Sequence, residues 1–325
     1  MKPAVDVSVV VPYYNDPGGL AQLYAALARQ TAEPKEIVVV DDGSPAARAA
    51  ASVPCGELER VRVVVQRNAG AATARNAGAA LATAPVVAFV DSDCVPDPDW
   101  LERTSRAVED GLAIAYGRVY SESGYPYPLW TAPGGQALIS ASLVVRNDAF
   151  AALGGFDGAF VGYREDTDFG LRAEAMNLSL GCAVGGATYH PVRRQGLRKL
   201  WHAGMLHRND PLLLKRHGPG VFADLGLAMT KPAIPPGFSP AGIVVTGAFL
   251  GAVACVAGGR AGAAVALVAG VAAAMCAGTL LAGVRAGKRR TRAEIAANAL
   301  AGVPYLCGWY AGRVSGSIAH RTLCL

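Results

Sequence analysis

Charged side chains are scarce in this sequence, and paired cysteines are missing. Only 17% of the 325 residues are Asp, Glu, Lys or Arg, whereas 52% are hydrophobic. This composition excludes a disordered chain and suggests contact with a membrane. The seven cysteines contain no C-x-x-C pair, which fits a reducing compartment and argues against a zinc site. The apolar run near the N-terminus is too short for a secretory signal and is typical of a first strand.

Two long segments have no charge at all, namely residues 232–259 and 261–284. Each is long enough for a helix that crosses the roughly 30 Å apolar layer of a membrane. We therefore predict a cytosolic domain over 1–231, a proline-rich linker over 232–240 and a membrane region over 241–325. The spans of its hairpin are expected at about 241–259 and 261–284. The alternative is a buried, Ala/Gly-rich helical hairpin in a soluble protein.

Basic residues flank this predicted hairpin on both sides. Lys215, Arg216 and Lys231 precede it and five Lys or Arg follow it, whereas the connection holds only Arg260. The positive-inside rule then predicts that both ends lie in the cytosol, together with the N-terminal domain. Residues 293–325 could form either an interfacial helix or a third span.

A second basic segment, residues 193–216, contains seven Lys or Arg with Trp201 among them. This pattern suits an anionic membrane surface, so membrane lipids are an expected partner. Nucleic acid is the competing partner for such a segment. No nucleic-acid-binding motif accompanies the segment, and we expect no nucleic acid to bind.

Apolar strands alternate with amphipathic helices in the first half of the chain. Strands are predicted within residues 7–12, 36–44, 60–68 and 85–93, and helices within 18–31 and 69–84. Further along, helical spacing begins near Glu165 and continues through Leu171, and "GCAVGGATYHPV" predicts a strand that ends at His190. This alternation predicts an α/β fold with a parallel sheet and right-handed crossovers. Ligands of such sheets bind at the carboxyl ends of the strands.

Polar residues follow three of these strands. Asp41 and Asp42 end one strand, Asn68 follows another, and Asp91 and Asp93 end a fourth. In an extended chain, residues two apart point to the same side, so Asp91 and Asp93 are expected to converge. Mg²⁺ or Mn²⁺ would remove the repulsion between the two carboxylates. An acidic turn without a cation is the alternative.

The order of motifs resembles the family 2 glycosyltransferases, from about Val7 to Pro191. The matching segments are "VVVPYYND", "EIVVVDDGS", "RNAGAATARNAG", "FVDSDC", "GGFDGAF", "REDTDFGLR" and "YHP". The resemblance implies the GT-A fold, a mostly parallel twisted sheet with helices on both faces. It also implies an inverting transferase that uses a nucleoside-diphosphate sugar.

The resemblance places a nucleotide-sugar site on eight residues. A carboxylate can accept the N–H of a base, a flat side chain can support its ring, and an arginine can pair with phosphate. The positions are Pro12, Tyr14, Asp41, Asp42, Asn68, Gly70, Arg75 and Asp91. Turn formation is the alternative for the two aspartates of "DDGS". Packing of small residues is the alternative for the helix that carries Arg75.

The resemblance also implies a divalent cation, Mn²⁺ or Mg²⁺, bound by Asp93, Asp91 and His190. A lone histidine is more often structural than a ligand. For the catalytic base that takes the acceptor proton, "REDTD" suggests Asp166, with Glu165 second and Asp168 a close rival. The alternative is that these carboxylates stabilise the first turn of a helix.

These inferences lead to a membrane-anchored, hexosyltransferase-like enzyme whose acceptor is a lipid-linked or cell-envelope glycan. The chain lacks the Gln-x-x-Arg-Trp motif of processive synthases, so a single transfer is favoured. One alternative is a sugar nucleotidyltransferase, which is expected to carry a glycine-rich basic loop near the N-terminus. Another is a degenerate domain that acts as a membrane scaffold.

Overall fold

The computed structural model describes residues 2–120, 140–191, 201–202, 204–218, 221, 308 and 311–322. The chain divides into two compact units, residues 1–193 and 194–325. The predicted linker over 232–240 and the predicted hairpin over 241–284 lie outside the described residues. Among the residues described, no helix is both long enough and apolar enough to span a bilayer.

The first half of unit 1 alternates strands and helices as the sequence predicts. Its strands are β1 (Ala4–Tyr13), β2 (Glu33–Asp41), β3 (Val61–Val65) and β4 (Val86–Phe89), and its helices are α1 (Pro17–Ala28) and α2 (Ala71–Leu81). Asp16 caps α1, because its Oδ1 accepts the N–H of Gly19 at 3.2 Å. The predicted first four strands and two helices are confirmed.

The second half of unit 1 is less regular. It contains β5 (Val95–Pro96), α3 (Trp100–Glu109), β6 (Ile114–Tyr116), β7 (Val119–Tyr120), β8 (Leu143–Arg146), α4 (Asn147–Ala152), α5 (Glu165–Ala175), β9 (Leu180–Cys182) and β10 (Thr188–Tyr189). The helix expected near Glu165 is confirmed. The single strand expected to end at His190 is wrong. Gly185 and Gly186 both have positive φ and turn the chain between two short strands, β9 and β10.

A seven-stranded sheet forms the centre of unit 1, with the order β3-β2-β1-β4-β8-β6-β9. Its first four strands are mutually parallel, whereas β8 runs antiparallel to both β4 and β6. A second sheet of three short strands has the order β5-β10-β7. The carboxyl ends of β1, β2 and β4 therefore meet at one edge.

Both faces of the large sheet are buried. Side chains of β1 alternate between two apolar clusters, since neighbouring residues of a strand point to opposite faces. Val9 and Val11 pack in the first cluster with residues of α1 and α3. Val10 packs in the second with residues of α2 and α5. The expected arrangement of helices on both faces is confirmed, and it leaves the strand ends as the accessible edge.

Gly78 lets α2 lie directly against the sheet. A Cβ at this position would collide with Cγ1 of Val10 and lie 3.2 Å from Cγ2 of Val40. We therefore expect Gly78→Ala to lower the free energy of unfolding by about 1–3 kcal/mol, although alanine is the better helix former. Gly18→Ala in α1 is the matched control, because its Cβ meets only Asp16 Oδ1 at 3.9 Å. Urea unfolding of both variants measures the difference, and equal midpoints would contradict this packing.

Unit 2 contains α6 (Asp210–His217) and a helix over residues 311–320. Arg313 joins the two helices, because its guanidinium binds the buried carboxylate of Asp210 at 2.8 Å. His207 Nδ1 contacts the same carboxylate at 2.8 Å. Gly312 lies so near the backbone of Met205 that a Cβ would sit 2.8 Å from the Met205 carbonyl oxygen. This part of the segment 293–325 is therefore a helix in close contact with a neighbouring helix.

Candidate active site

A cavity of about 510 Å³ opens at the carboxyl edge of the large sheet. Its walls come from the ends of β1, β2 and β4, from α2, from the start of α5 and from the residue after β10. The lining residues are Pro12, Tyr13, Tyr14, Asn15, Asp16, Asp42, Ala71, Ala74, Arg75, Asp91, Ser92, Asp93, Gly162, Glu165 and His190. The polar residues that follow separate strands in the sequence thus meet in one place.

Most of the predicted site residues lie on the cavity wall. Those present are Pro12, Tyr14, Asp42, Arg75, Asp91, Asp93, Glu165 and His190. The wall does not include the predicted residues Asp41, Asn68, Gly70 and Asp166. Asp41, Gly70 and Asp166 are each adjacent in sequence to a wall residue. Asn68 is hydrogen-bonded to the wall residue Asp42.

The two aspartates of "DDGS" have different surroundings. The carboxylate of Asp41 is buried and accepts the backbone N–H groups of Ser44 and Ala50 at 2.8 and 2.7 Å. It therefore shapes the loop after β2, as the turn alternative proposes. Asp42 lies on the cavity wall, so only this aspartate of the pair faces the space available to a ligand.

Asp42 also holds the loop that leads into α2. Its Oδ1 accepts from Gln66 Nε2 at 2.7 Å and from Ala69 N at 2.8 Å, and its Oδ2 accepts from Gly70 N at 2.8 Å. Gly70 has φ of 91°, a conformation that favours glycine. Asn68 Nδ2 donates to the carbonyl of Asp42 at 2.8 Å. Asn68 and Gly70 therefore act on the cavity through Asp42.

Arg75 joins two parts of the site that are far apart in sequence. Its guanidinium is 3% exposed and contacts Asp91 Oδ1 at 2.5 Å and Glu165 Oε1 at 3.1 Å. Burial alone would lower the pKa of Arg75, but the charges of Asp91 and Glu165 outweigh burial and raise it. The arginine is thus a permanent cation between two carboxylates. This contact is not visible in the sequence, which predicts only a phosphate partner for Arg75.

The "DSD" segment is a turn and not an extended strand. Strand β4 ends at Phe89, and the N–H of Cys94 donates to the carbonyl of Asp91 at 3.0 Å. The expected convergence of the carboxylates through strand geometry is therefore wrong. Asp91 contacts Arg75, whereas Asp93 Oδ1 lies 3.8 Å from His190 Nε2. Both aspartates still line the same cavity, because the turn presents them to it from adjacent positions.

The residues present here fit a divalent cation. Asp91, Cys94 and His190 each place one possible ligand atom within 4.8 Å of the others. His190 Nδ1 is buried and makes no hydrogen bond in the described part of the chain. Burial, followed by the charges of Asp91 and Asp93, raises the pKa of the Cys94 thiol. Cys94 was not among the predicted ligands; its only signal in the sequence is its place directly after Asp93.

The three acidic residues at the start of α5 have three environments. Asp168 is fully buried and binds Arg172 Nε at 2.8 Å, and Arg172 also donates to the carbonyls of Leu153 and Gly155. The contacts of Arg172 hold the turn before α5. Glu165 lies on the cavity wall. Asp166 is half-buried, and its Oδ2 accepts the N–H of Ser140 at 3.4 Å.

Two of these carboxyl groups hold their protons more strongly than usual. Burial, with the charge of Asp166 next, raises the pKa of Glu165 to about 7, although Arg75 opposes the shift. Burial also raises the pKa of Asp166, again against the effect of Arg75. Groups with raised pKa values at a cavity are suited to proton transfer near neutral pH.

Sequence comparison agrees with this geometry. Residues 8–168 match the family model "Glycosyl transferase family 2". This segment, just under half of the chain, resembles the family 2 glycosyltransferases. The matched range begins in β1 and ends in α5, and it contains every cavity residue except His190.

Curated relatives resemble this chain over limited lengths. The validoxylamine A glucosyltransferase of Streptomyces hygroscopicus subsp. limoneus is 38% identical over 100 residues, which are 30% of this chain and 22% of that protein. The succinoglycan biosynthesis protein ExoW of Rhizobium meliloti is 41% identical over 100 residues, 29% of this chain and 31% of that protein. The chain therefore spans only about a fifth to a third of these relatives.

A solved structure resembles the fold of this chain. S. aureus TarS 1-349, crystallised in complex with UDP-GlcNAc, superposes with a TM-score of 0.51 and 21% identity, covering 69% of this chain and 71% of that chain. At this identity the likeness concerns the fold alone. Together with the family match, it confirms the expected mixed α/β fold of the GT-A type.

Proposed function

We propose that the protein transfers a sugar from a nucleoside-diphosphate sugar to a glycan acceptor with inversion, assisted by a divalent cation. The observation that carries this proposal is the cavity itself. It brings Asp42, Arg75, Asp91, Asp93 and Glu165 to the carboxyl edge of a parallel sheet. Nucleotides bind at this edge in open α/β sheets. The match to the family 2 model supports a donor of this class.

The proposed donor lies along the cavity from β2 to β4. Tyr14 is 53% exposed and lines the cavity with Pro12 and Asp42, so this end offers a flat surface and an acceptor for the base. Asp91, Asp93 and His190 at the other end would hold the cation. When bound, the cation neutralises charge that develops on the diphosphate leaving group. The contact of Arg75 with Asp91 Oδ1 at 2.5 Å holds this carboxylate in place for the role.

Inversion requires a base that removes the proton of the acceptor hydroxyl. We assign this role to Asp166, with Glu165 second, because both have raised pKa values. Asp168 is the weakest candidate, since it is fully buried against Arg172. We expect Asp166→Asn to lower kcat by about 10²- to 10⁴-fold with the donor affinity kept. A larger loss in Glu165→Gln than in Asp166→Asn would reverse the assignment.

The pKa of Glu165 predicts how stability depends on pH. Its folded value of about 7 lies above the value of an unfolded chain, so the folded state holds the proton more strongly. The contribution of Glu165 to the free energy of unfolding is complete below about pH 4.3 and is lost as the pH rises through about 7. We therefore expect Glu165→Gln to reduce the loss of stability between about pH 5 and about pH 8. Glu109→Gln on the exposed face of α3 is the control, and its pH dependence should match the wild type.

Membrane attachment is the other half of the proposal. The uncharged segments 241–259 and 261–284 and the basic segment 193–216 support a domain held at the cytosolic face of the cytoplasmic membrane. A lipid-linked or cell-envelope glycan is the acceptor that suits this location. The family 2 match favours this function over a sugar nucleotidyltransferase. The carboxylates of Asp91 and Glu165, which Arg75 joins at the cavity, favour it over a scaffold, which has no use for such a site.

The transfer reaction can be tested with the full chain. Candidate nucleoside-diphosphate sugars and a lipid extract are mixed with Mn²⁺, and the released nucleoside diphosphate is measured. Proton NMR of the product then gives the configuration at the sugar carbon. Release that depends on the acceptor, with an inverted configuration, would support the proposal. A retained configuration would contradict the mechanism, and release of pyrophosphate would favour the nucleotidyltransferase.

A further inference from the structure

Cys94 lies beside two of the proposed cation ligands. Its Sγ, a carboxylate oxygen of Asp91 and an imidazole nitrogen of His190 are all within 4.8 Å of one another. Cys94 itself is 0% exposed and packs in the apolar core with Trp100 and Leu101. Three types of ligand atom, from the turn after β4 and from the residue after β10, therefore lie close together. A search for C-x-x-C spacing does not detect this site, because its ligands come from separate parts of the chain.

The distances suit a small tetrahedral site. Bonds of about 2.0–2.3 Å from zinc to nitrogen, oxygen and sulfur place the ligand atoms roughly 3.3–3.8 Å apart. The observed limit of 4.8 Å therefore requires a contraction of about 1 Å or slightly more. Side-chain rotation of Asp91 and His190 can supply it, since their side chains are 26% and 27% exposed. Cys94 can stay in its place in the core.

The imidazole of His190 supplies a second observation. His190 Nδ1 is buried without a hydrogen-bond partner in the described part of the chain. A buried polar atom in this state is costly and rare in native proteins. A bond between a cation and this ring, with the other nitrogen directed to Asp93 or solvent, would remove the cost.

We propose that Asp91, Cys94 and His190 form a site for a borderline-soft divalent cation such as Zn²⁺, in competition with Mn²⁺ or Mg²⁺. Carboxylate oxygens satisfy the hard ions, whereas thiolate and imidazole favour Zn²⁺. As the sulfur–metal bond forms, the Cys94 thiol releases its proton to solvent. This proposal rests on the proposed function, which places the catalytic cation at Asp91. We expect Zn²⁺ bound at this shared ligand to inhibit sugar transfer.

Cobalt tests the site by absorption, because Co²⁺ replaces Zn²⁺ and gives a thiolate-to-metal charge-transfer band. Co²⁺ is titrated into the full chain without nucleotide. We expect a band in the wild type that is lost in Cys94→Ser and kept in Cys182→Ser. Cys182 is an exposed cysteine outside the cluster, which makes it the matched control. Added Zn²⁺ should remove the band at a far lower concentration than added Mg²⁺.

A second variant protects the test against misfolding of Cys94→Ser, since Cys94 is a core residue. His190→Gln keeps Cys94 and should lower the affinity for Co²⁺ by about tenfold or more. A wild-type chain without the band, or a band that survives in Cys94→Ser, would overturn the proposal. The two proposals can be distinguished, because a chain that binds no nucleotide sugar, and so contradicts the proposed function, can still show the cobalt band.

Discussion

Asp93→Ala is expected to abolish sugar transfer while the chain remains folded. Asp93 lies on the cavity wall, and its carboxylate is 30% exposed and 3.8 Å from His190 Nε2. Its removal takes away one carboxylate of the proposed cation site and leaves the apolar core intact. A cation contributes several kcal/mol to stabilising the leaving group, so a loss of about a thousandfold or more in kcat/KM is expected.

The control for this experiment is Asp110→Ala. Asp110 is 68% exposed and pairs only loosely with Arg106, at 3.7 Å, so the variant should transfer sugar at the wild-type rate. Asp93→Ala should also lose the Mn²⁺-dependent part of any increase in melting temperature. Activity within about tenfold of the wild type would contradict the cation assignment.

Arg75→Met is expected to cause the largest loss of stability. The guanidinium contacts both Asp91 and Glu165, and methionine would leave the buried carboxylate of Glu165 and the half-buried carboxylate of Asp91 without this positive charge. Breaking a buried ion pair on one side costs about 3–5 kcal/mol. Arg106→Met is the control, because Arg106 is 73% exposed and an exposed pair contributes about 0–1 kcal/mol. Denaturant unfolding measures both variants.

A double variant tests whether charge is the cause of this loss. Arg75→Met with Glu165→Gln leaves one buried carboxylate fewer, so it should recover part of the stability that Arg75→Met loses. Coupling between residues in direct contact makes the two changes non-additive. If the double variant is as unstable as the sum of the single variants, the arginine contributes through packing, for which its contact with the Phe156 ring at 5.6 Å offers the route.

The sequence predicted the sheet and its edge because these depend on local patterns. Strands such as "VSVVVP" and "EIVVVD" are apolar on both faces, which is typical of a parallel sheet covered on both sides. The carboxyl-edge rule then placed Asp42, Asp91 and Asp93 near one another without any knowledge of contacts. The helix from Glu165 was also visible in its own spacing.

The contacts within the site could not be predicted from local patterns. Arg75 and Glu165 are 90 positions apart, and their pairing depends on how α5 packs against α2. The turn after Phe89 changed the directions of Asp91 and Asp93 that an extended strand would give. The difference between Asp41 and Asp42 depends on backbone N–H groups of the following loops, to which their carboxylates bind.

Nucleotide binding tests the central claim most directly. The melting temperature of the full chain is measured with UDP, GDP, TDP and CDP, and with their sugars, each with and without Mn²⁺. A site at the edge of β1, β2 and β4 predicts an increase with one base that depends on Mn²⁺ and is absent in Asp91→Asn, since ligands that bind the folded state raise its stability. No increase with any nucleotide, or an equal increase in Asp91→Asn, would contradict the account.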